Sequence, residues 1–350
     1  MPSAAPVPAS TTLEVACDES GSEGEKLVGG STDTFAHASV AVSTAVAEET
    51  IARVRVEARS PATEVKASVV LRPQNRRVLE WLLGDRGPLL GHSHVHLTDK
   101  ALHLTGRMLW LLGDEARDKA RDGTGGGVGG GVGVGMDGGV DGDARGLHRE
   151  AARRVGHESW ASVLAAFNDV VRARSLEEAT AGASVLARRL SEVGTQFDGR
   201  LPAGGWSVPL EPEGLLRLVA RGRGALDPIV PALADTLRHW GSAGRPFRVV
   251  HDVQAGLTEA AVRAAVTASG AEASGAFRGL HFVDSHADPR VQLADFLAGA
   301  VRRIASQVLA GDADPALVFL VTPYLSDRSV WLGPWPAETG ATSLTRVAGQ

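Results

Sequence analysis

Cysteine is almost absent: Cys17 is the single thiol in 350 residues. One cysteine excludes an internal disulfide framework and fits a reducing cytoplasm. Cys17 itself reads as a buried strand residue rather than a catalytic thiol. Also missing is any run of about 18 apolar residues, so no transmembrane helix and no membrane partner are expected. Residues 1–11 lack the basic start and apolar middle of a signal peptide and read as a frayed tail. Surplus positive charge is lacking too, the formal net charge being −5. Nucleic acid would therefore have to be met by a local basic patch. No βα unit recurs, which argues against a barrel. The glycines of 123–142 make no phosphate-binding loop, because no strand leads into them and no Gly-Lys-Ser/Thr follows.

What is present suffices for a large core: 43% of the residues are hydrophobic, an ordinary globular fraction. Leu13 to Gly21 reads as a strand running into the acidic turn Asp18-Glu19-Ser20-Gly21. Strand alternation sends Val15 and Cys17 to one face, Ala16 and Asp18 to the other. Phe35 to Ser43 alternates and is expected to pair antiparallel with it. A helix over 48–58 follows. Lys66 to Leu71 fits either a strand or the approach to a helix at Asn75 to Leu83. Leu89 to Leu97 reads as a strand that puts His92, His94 and His96 on one face, a possible zinc-binding set. Thr98 is the expected cap of a helix from Asp99 to Leu112.

The glycine-rich 123–142 segment is expected to be a flexible insert. Arg145 to Arg174 and Ser175 to Phe197 read as two helices. Their Arg149, Arg153, Arg154, Arg172, Arg174, Arg188 and Arg189 suit either phosphate contacts or pairing with Glu150, Glu158, Glu177 and Glu178. Helices around Glu213 to Ala220 and Pro228 to Trp240 complete a helical insertion over 99–240 inside one α/β domain spanning 12–333. An irregular tail is expected over 334–350.

Pro246 to Asp252 and Leu280 to Ser285 read as strands ending in acids. The helix between them, capped by Thr258, favours a parallel pair. The chain then enters Val291 to Arg303, where Leu293, Leu297, Ala300, Val301, Ile304 and Val308 form an apolar stripe. Gln292, Asp295, Gly299 and Arg302 lie on the other side, and Gly299 leaves room for another element to approach Asp295. Taken alone, Asp295 reads as a polar residue on a surface helix. Together with Asp18, Glu19, Asp252 and Asp284 it suggests a carboxylate site, since open α/β sheets place their sites at strand ends.

Asp18-Glu19-Ser20-Gly21 and Gln292-Leu293-Ala294-Asp295, with Gly299, Arg302 and Arg303, resemble the opening strand and closing helix of the domain of unknown function 3800 (DUF3800) family. Glu64-Val65-Lys66 and Thr98-Asp99-Lys100 match interior features of that family. The resemblance implies a ribonuclease H-like α/β fold: a mixed sheet flanked by helices. It further implies a Mg2+- or Mn2+-dependent nuclease or phosphodiesterase acting on RNA or DNA, with defence against foreign nucleic acid as its role. In that scheme Asp18 bridges two ions roughly 3.5–4 Å apart. Asp252 and Asp295 complete their shells, Glu19 or Asp284 positions water, and Lys66, Lys100 and Gln292 hold substrate. The family position near Asp284 is led by Ser, matched here by Ser285, so Asp284 stays outside the core set. Two alternatives remain: a non-catalytic nucleic-acid or partner-binding module of the same fold, and a zinc hydrolase using His92, His94 and His96.

Overall fold

The computed structural model describes residues 12–59, 65–123, 139–197, 208 and 210–333. The expected tails and most of the glycine-rich segment lie outside them. Strands β1 (Leu13–Ser20) and β2 (Thr34–Val40) pair antiparallel. Helix α1 (Thr44–Glu57) begins where the Ser43 hydroxyl accepts the Val46 N–H, and α2 (Ala67–Val70) and α3 (Arg76–Leu83) follow. The 66–71 stretch therefore resolves as a helical turn. Strand β3 (Ser93–Asp99) leads into α4 (Lys100–Gly123), α5 (Gly139–Val155), α6 (His157–Arg172), α7 (Leu176–Gly194), α8 (Pro212–Gly222) and α9 (Ile229–Gly241). The chain closes with β4 (Phe247–Asp252), α10 (Glu259–Ser269), α11 (Ala271–Ser274), β5 (Phe277–Val283), α12 (Pro289–Ala310) and α13 (Pro315–Val321).

The five strands form one mixed sheet in the order β3-β2-β1-β4-β5, with β1, β4 and β5 mutually parallel and β2 and β3 antiparallel to their neighbours. Alternation along β1 decides what each face carries. Cys17 and Val15 pack with Phe35, Phe247 and Leu237 of α9, in a core that also takes in α10. Ala16 packs with Val250 and with Val291 of α12 on the opposite face. There α12 is sandwiched between the sheet and α1, α2 and α13, with α3 in the same core beyond α13. Helices α4 to α8 bury a separate core around Trp160, Phe167 and Leu186. Asn168 joins it to the loop after β1, accepting the Leu27 N–H at 3.1 Å and donating to the Glu25 carbonyl at 2.8 Å. Helix α9 returns from this cluster to lie on the sheet. Among the described residues, no helix is long and apolar enough to cross a membrane.

Four local expectations need correction. Strand β3 begins at Ser93 rather than Leu89, because Gly91 at φ +77° turns the chain first. The α4 cap is Asp99, not Thr98: its Oδ1 accepts the Ala101 and Leu102 N–H groups at 2.9 and 3.0 Å, while Thr98 is still in the strand. The single helix expected over 145–174 is two, broken at Gly156, where φ is +84°. Finally, α12 has no solvated polar side over its first three turns. Gln292 and Gly299 are buried together with the apolar residues from Val291 to Val301.

Candidate active site

Parity brings the first two acids together. Cys17 stands opposite His251 in the parallel β1–β4 register, and Ala16 stands opposite Val250. Asp18 and Asp252 come one residue later, on the α12 face, where the two parallel strands end. Asp18 is buried there, and Asp252 accepts the Ser285 N–H on Oδ1 at 3.0 Å.

Helix α12 delivers the third acid from a fixed start. Asp288 caps it, accepting the Arg290 N–H at 2.9 Å, and Pro289 fits the first turn. The Arg290 guanidinium then grips Asp288 at 2.9 and 2.6 Å and Glu14 of β1 at 2.6 Å. A planar guanidinium donating along several directions sets orientation as well as attraction. Asp295 follows nearly two turns on, its Oδ2 accepting the Ala67 N–H at 3.0 Å. Gly299 makes that contact possible, since a Cβ there would sit 2.4 Å from the Ala67 Cβ.

The substitution Gly299→Ala must therefore push α2 away from Asp295. Ala favours the helix by up to about 1 kcal/mol, but overpacking costs about 1–3 kcal/mol. A net loss of about 1–2 kcal/mol is expected in urea unfolding. A variant as stable as wild type would show that α2 is not held in close contact.

Gln292, expected to bind substrate, instead braces this corner. Its Nε2 donates to the Ser285 carbonyl at 3.1 Å, and its Oε1 is buried without a hydrogen-bond partner.

Glu19 behaves differently from the three aspartates. It follows Asp18 on the strand and so projects to the α9 face. There Gln254 donates to it through a short hydrogen bond, and its Oε2 is buried without a partner. Burial, then the nearby Asp252, pushes its carboxyl up to about 7, against the Gln254 hydrogen bond; Asp227 adds to the rise. Asp18 is driven further, to about 9, by burial first and then by Glu19, Asp295 and Asp252; the Glu19 N–H, 2.7 Å from its Oδ1, opposes this. Gathered carboxylates repel, and one of them keeps a proton unless a cation intervenes. Among the described residues, no three His, Cys, Asp or Glu side chains stand in a group that could hold a metal ion as placed. The acids are neighbours rather than a closed ligand shell.

Asp227 and Gln254 were not singled out from the sequence. Gln254 lies two residues past the β4 acid, where strand-end reasoning could have reached it. Asp227 shows only as an Asp-Pro before α9, a common helix start.

The two lysines differ. Lys66 is exposed, immediately before Ala67 and thus at the rim beside Asp295. Lys100 is buried and donates to Glu23 Oε2 at 2.7 Å, Thr32 Oγ1 at 2.6 Å and the Thr32 carbonyl at 3.0 Å. With its three donors engaged, Lys100 ties down the β1–β2 loop and is not placed to take a phosphate, contrary to the sequence expectation.

The three-imidazole face does not form either. His92 is exposed in the turn before β3, leaving His94 and His96 on the strand. Both are buried against Asp235 of α9, at 3.6 Å from His94 Nε2 and 2.9 Å from His96 Nδ1. His94 stacks on His239, and burial pushes it down to about 3. Against the cost of burial, the His96 hydrogen bond holds Asp235 down to about 2.

On the helical cluster, Arg153 and Arg154 follow the charge-pairing alternative, and Arg189 pairs with a glutamate outside the expected set. Glu150 pairs with Arg153 at 2.8 Å and, more closely, with Arg154; Arg189 pairs with Glu192 at 3.0 Å. Such exposed pairs contribute little to stability. Searched against family models, curated proteins and solved structures, the chain matches none.

Proposed function

We propose that this chain is a divalent-cation-dependent nuclease or phosphodiesterase on a ribonuclease H-like fold, acting on RNA or DNA. The observation that carries the reading is that Asp252, at the end of a strand parallel to β1, and Asp295, on a helix packed over that sheet face, are both near enough to the buried Asp18 to raise its carboxyl. The fold assignment is supported by the sheet order, in which an antiparallel β3-β2-β1 unit is extended by parallel β4 and β5. Cys17 is buried and unpaired, which suits a reducing cytoplasm.

The donor chemistry fits Mg2+ or Mn2+: every candidate ligand atom is a carboxylate oxygen, the kind hard cations take. The charge state fits as well. A cation would relieve the repulsion that keeps a proton on Asp18. Asp18, Asp252 and Asp295 would hold the ion, with Glu19 behind them beside Asp252. When bound, such an ion polarises a phosphoryl oxygen and lowers the pKa of a water nucleophile. The chain's own residues do the rest. Arg290 and Asp288 fix the angle at which α12 presents Asp295, Ser285 orients Asp252, and Glu19, poised to about 7, can accept a proton from an attacking water near neutral pH. Lys66, exposed beside Asp295, would contribute a positive charge toward a phosphate.

Labelled RNA, DNA and hybrid duplexes incubated with Mn2+ or with chelator test the activity. Cleavage in Mn2+ is expected, falling at least about 100-fold in Asp18→Ala and Asp295→Ala, since ion-based charge stabilisation is worth several kcal/mol. Activity unchanged in both variants would end the nuclease reading. The proton held on Asp18 and the open arrangement of the acids favour one alternative, a binding module without catalysis. Retained nucleic-acid binding with no cleavage of any substrate in Mn2+ would select it.

A further inference from the structure

Behind the acids, on the α9 face, buried polar groups form a line. His251 of β4 places Nδ1 2.9 Å from the Asp252 carbonyl oxygen and Nε2 3.1 Å from Nε2 of His37 on β2. His37 Nδ1 in turn lies 3.1 Å from Thr236 Oγ1 on α9. All three side chains are fully buried. A carbonyl oxygen can only accept, so His251 carries its proton on Nδ1. An imidazolium at this position would be a buried charge with no carboxylate hydrogen-bonded to it, so the ring is neutral and its Nε2 offers a lone pair. His37 must then donate from Nε2, leaving its Nδ1 to accept the Thr236 hydroxyl. Every link in the line has one direction.

We propose that Thr236, His37 and His251 are positioning residues for Asp252, holding the end of β4 so that its carboxylate faces Ser285 and the acid cluster. The two rings reach over β1, where Glu19 is opposite His37 and Cys17 opposite His251. They thereby tie β2 to β4 across the strand that carries Asp18. The consequence for ion binding rests on the cation-site reading of the acids; the orientation of Asp252 does not. Groups that orient a metal ligand from behind commonly change metal affinity about 10–100-fold when removed.

Two backbone amides report the effect without any assay of activity. The Ser285 N–H contacts Asp252, and the Ala67 N–H contacts Asp295, which the line does not touch. Wild type, His37→Phe, His37→Gln and Thr236→Val are compared by two-bond proton–nitrogen correlation of the imidazoles, amide exchange and Mn2+ titration. In wild type, His251 is expected as the Nδ1–H tautomer and His37 as the Nε2–H tautomer. His37→Phe should speed exchange at Ser285 at least about tenfold relative to Ala67 and weaken Mn2+ about tenfold. His37→Gln, whose amide can still donate to His251, should recover most of both, and Thr236→Val should show a smaller change in the same direction. Reversed tautomers, or Ser285 protection that follows Ala67 in every variant, overturn the proposal. Should His37→Phe fail to fold, Thr236→Val decides it: unchanged Ser285 exchange there overturns the proposal. Wild type that takes up no Mn2+, with Ser285 selectively deprotected in the variants, leaves the positioning standing and removes the cation site.

Discussion

Replacing Asp18 with asparagine is expected to stabilise the cation-free protein at pH 8 by at least about 2 kcal/mol. The sign follows from proton counts. Asp18 and Glu19 are pushed up to about 9 and about 7, so above pH 4 the folded chain binds more protons than the unfolded one. Stability therefore falls as pH rises through this range, by up to about 1.4 kcal/mol per pH unit per proton. Buried histidines act in the opposite sense. His94 is pushed down to about 3 and His251 to about 4, mainly by burial, and burial also holds His37 and His103 well below the ordinary histidine value. Their contribution is lost as pH falls below the ordinary histidine value of about 6.5. Wild type should thus be most stable near neutral pH and weaken on both sides. Asp18→Asn should lose the alkaline limb and keep the acid one. Urea unfolding from pH 4 to 9 checks this; a variant less stable than wild type at pH 8 would mean that Asp18 is not the burdened carboxyl.

Asp235→Ala should be the most damaging single change away from the acids, costing about 2–4 kcal/mol at pH 7 from the buried donors it orphans. Asp235 is 3% exposed and accepts a hydrogen bond from His96 Nδ1 at 2.9 Å, with Ser326 as a further donor, while His94 Nε2 lies 3.6 Å away. Its removal orphans these buried donors and leaves a cavity between α9 and β3. The free nitrogens His94 Nδ1 and His96 Nε2 are already buried without partners, so the rings cannot turn to find another acceptor nearby. Chemical denaturation measures the loss, and a cost below about 1 kcal/mol would mean that the carboxylate does not organise this layer.

How far the sequence could be read depended on the range of the interaction that set each feature. Alternation along β1 is local, and it placed Asp18 with Ala16 and apart from Cys17 correctly. The Thr258 cap, which accepts the Ala261 N–H at 3.2 Å, and the parallel β4–β5 pair are equally short-range. Helix α12 was legible as a helix but not as a buried one, because an apolar stripe does not reveal that α2 covers the side carrying Asp295. The clue was Gly299, whose missing side chain admits Ala67. The Thr98 cap failed by one residue because β3 lies later in the chain than its hydrophobic run suggests. Asp235 was invisible: it sits inside a helix, and its partner His96 is 139 residues away. Lys100 looked like a free cation for the same reason, since Glu23 and Thr32 come to it only in the folded chain.

A calorimetric titration of Mn2+ into wild type and Asp18→Asn, repeated in buffers of different ionisation heat, bears most directly on the proposed cation site. Wild type should bind the ion with release of about one proton, because the Asp18 carboxyl must give up its own to become a ligand, and the variant should bind at least about 100-fold more weakly. Equal affinity in the two proteins, or wild type that binds no Mn2+, would contradict the account.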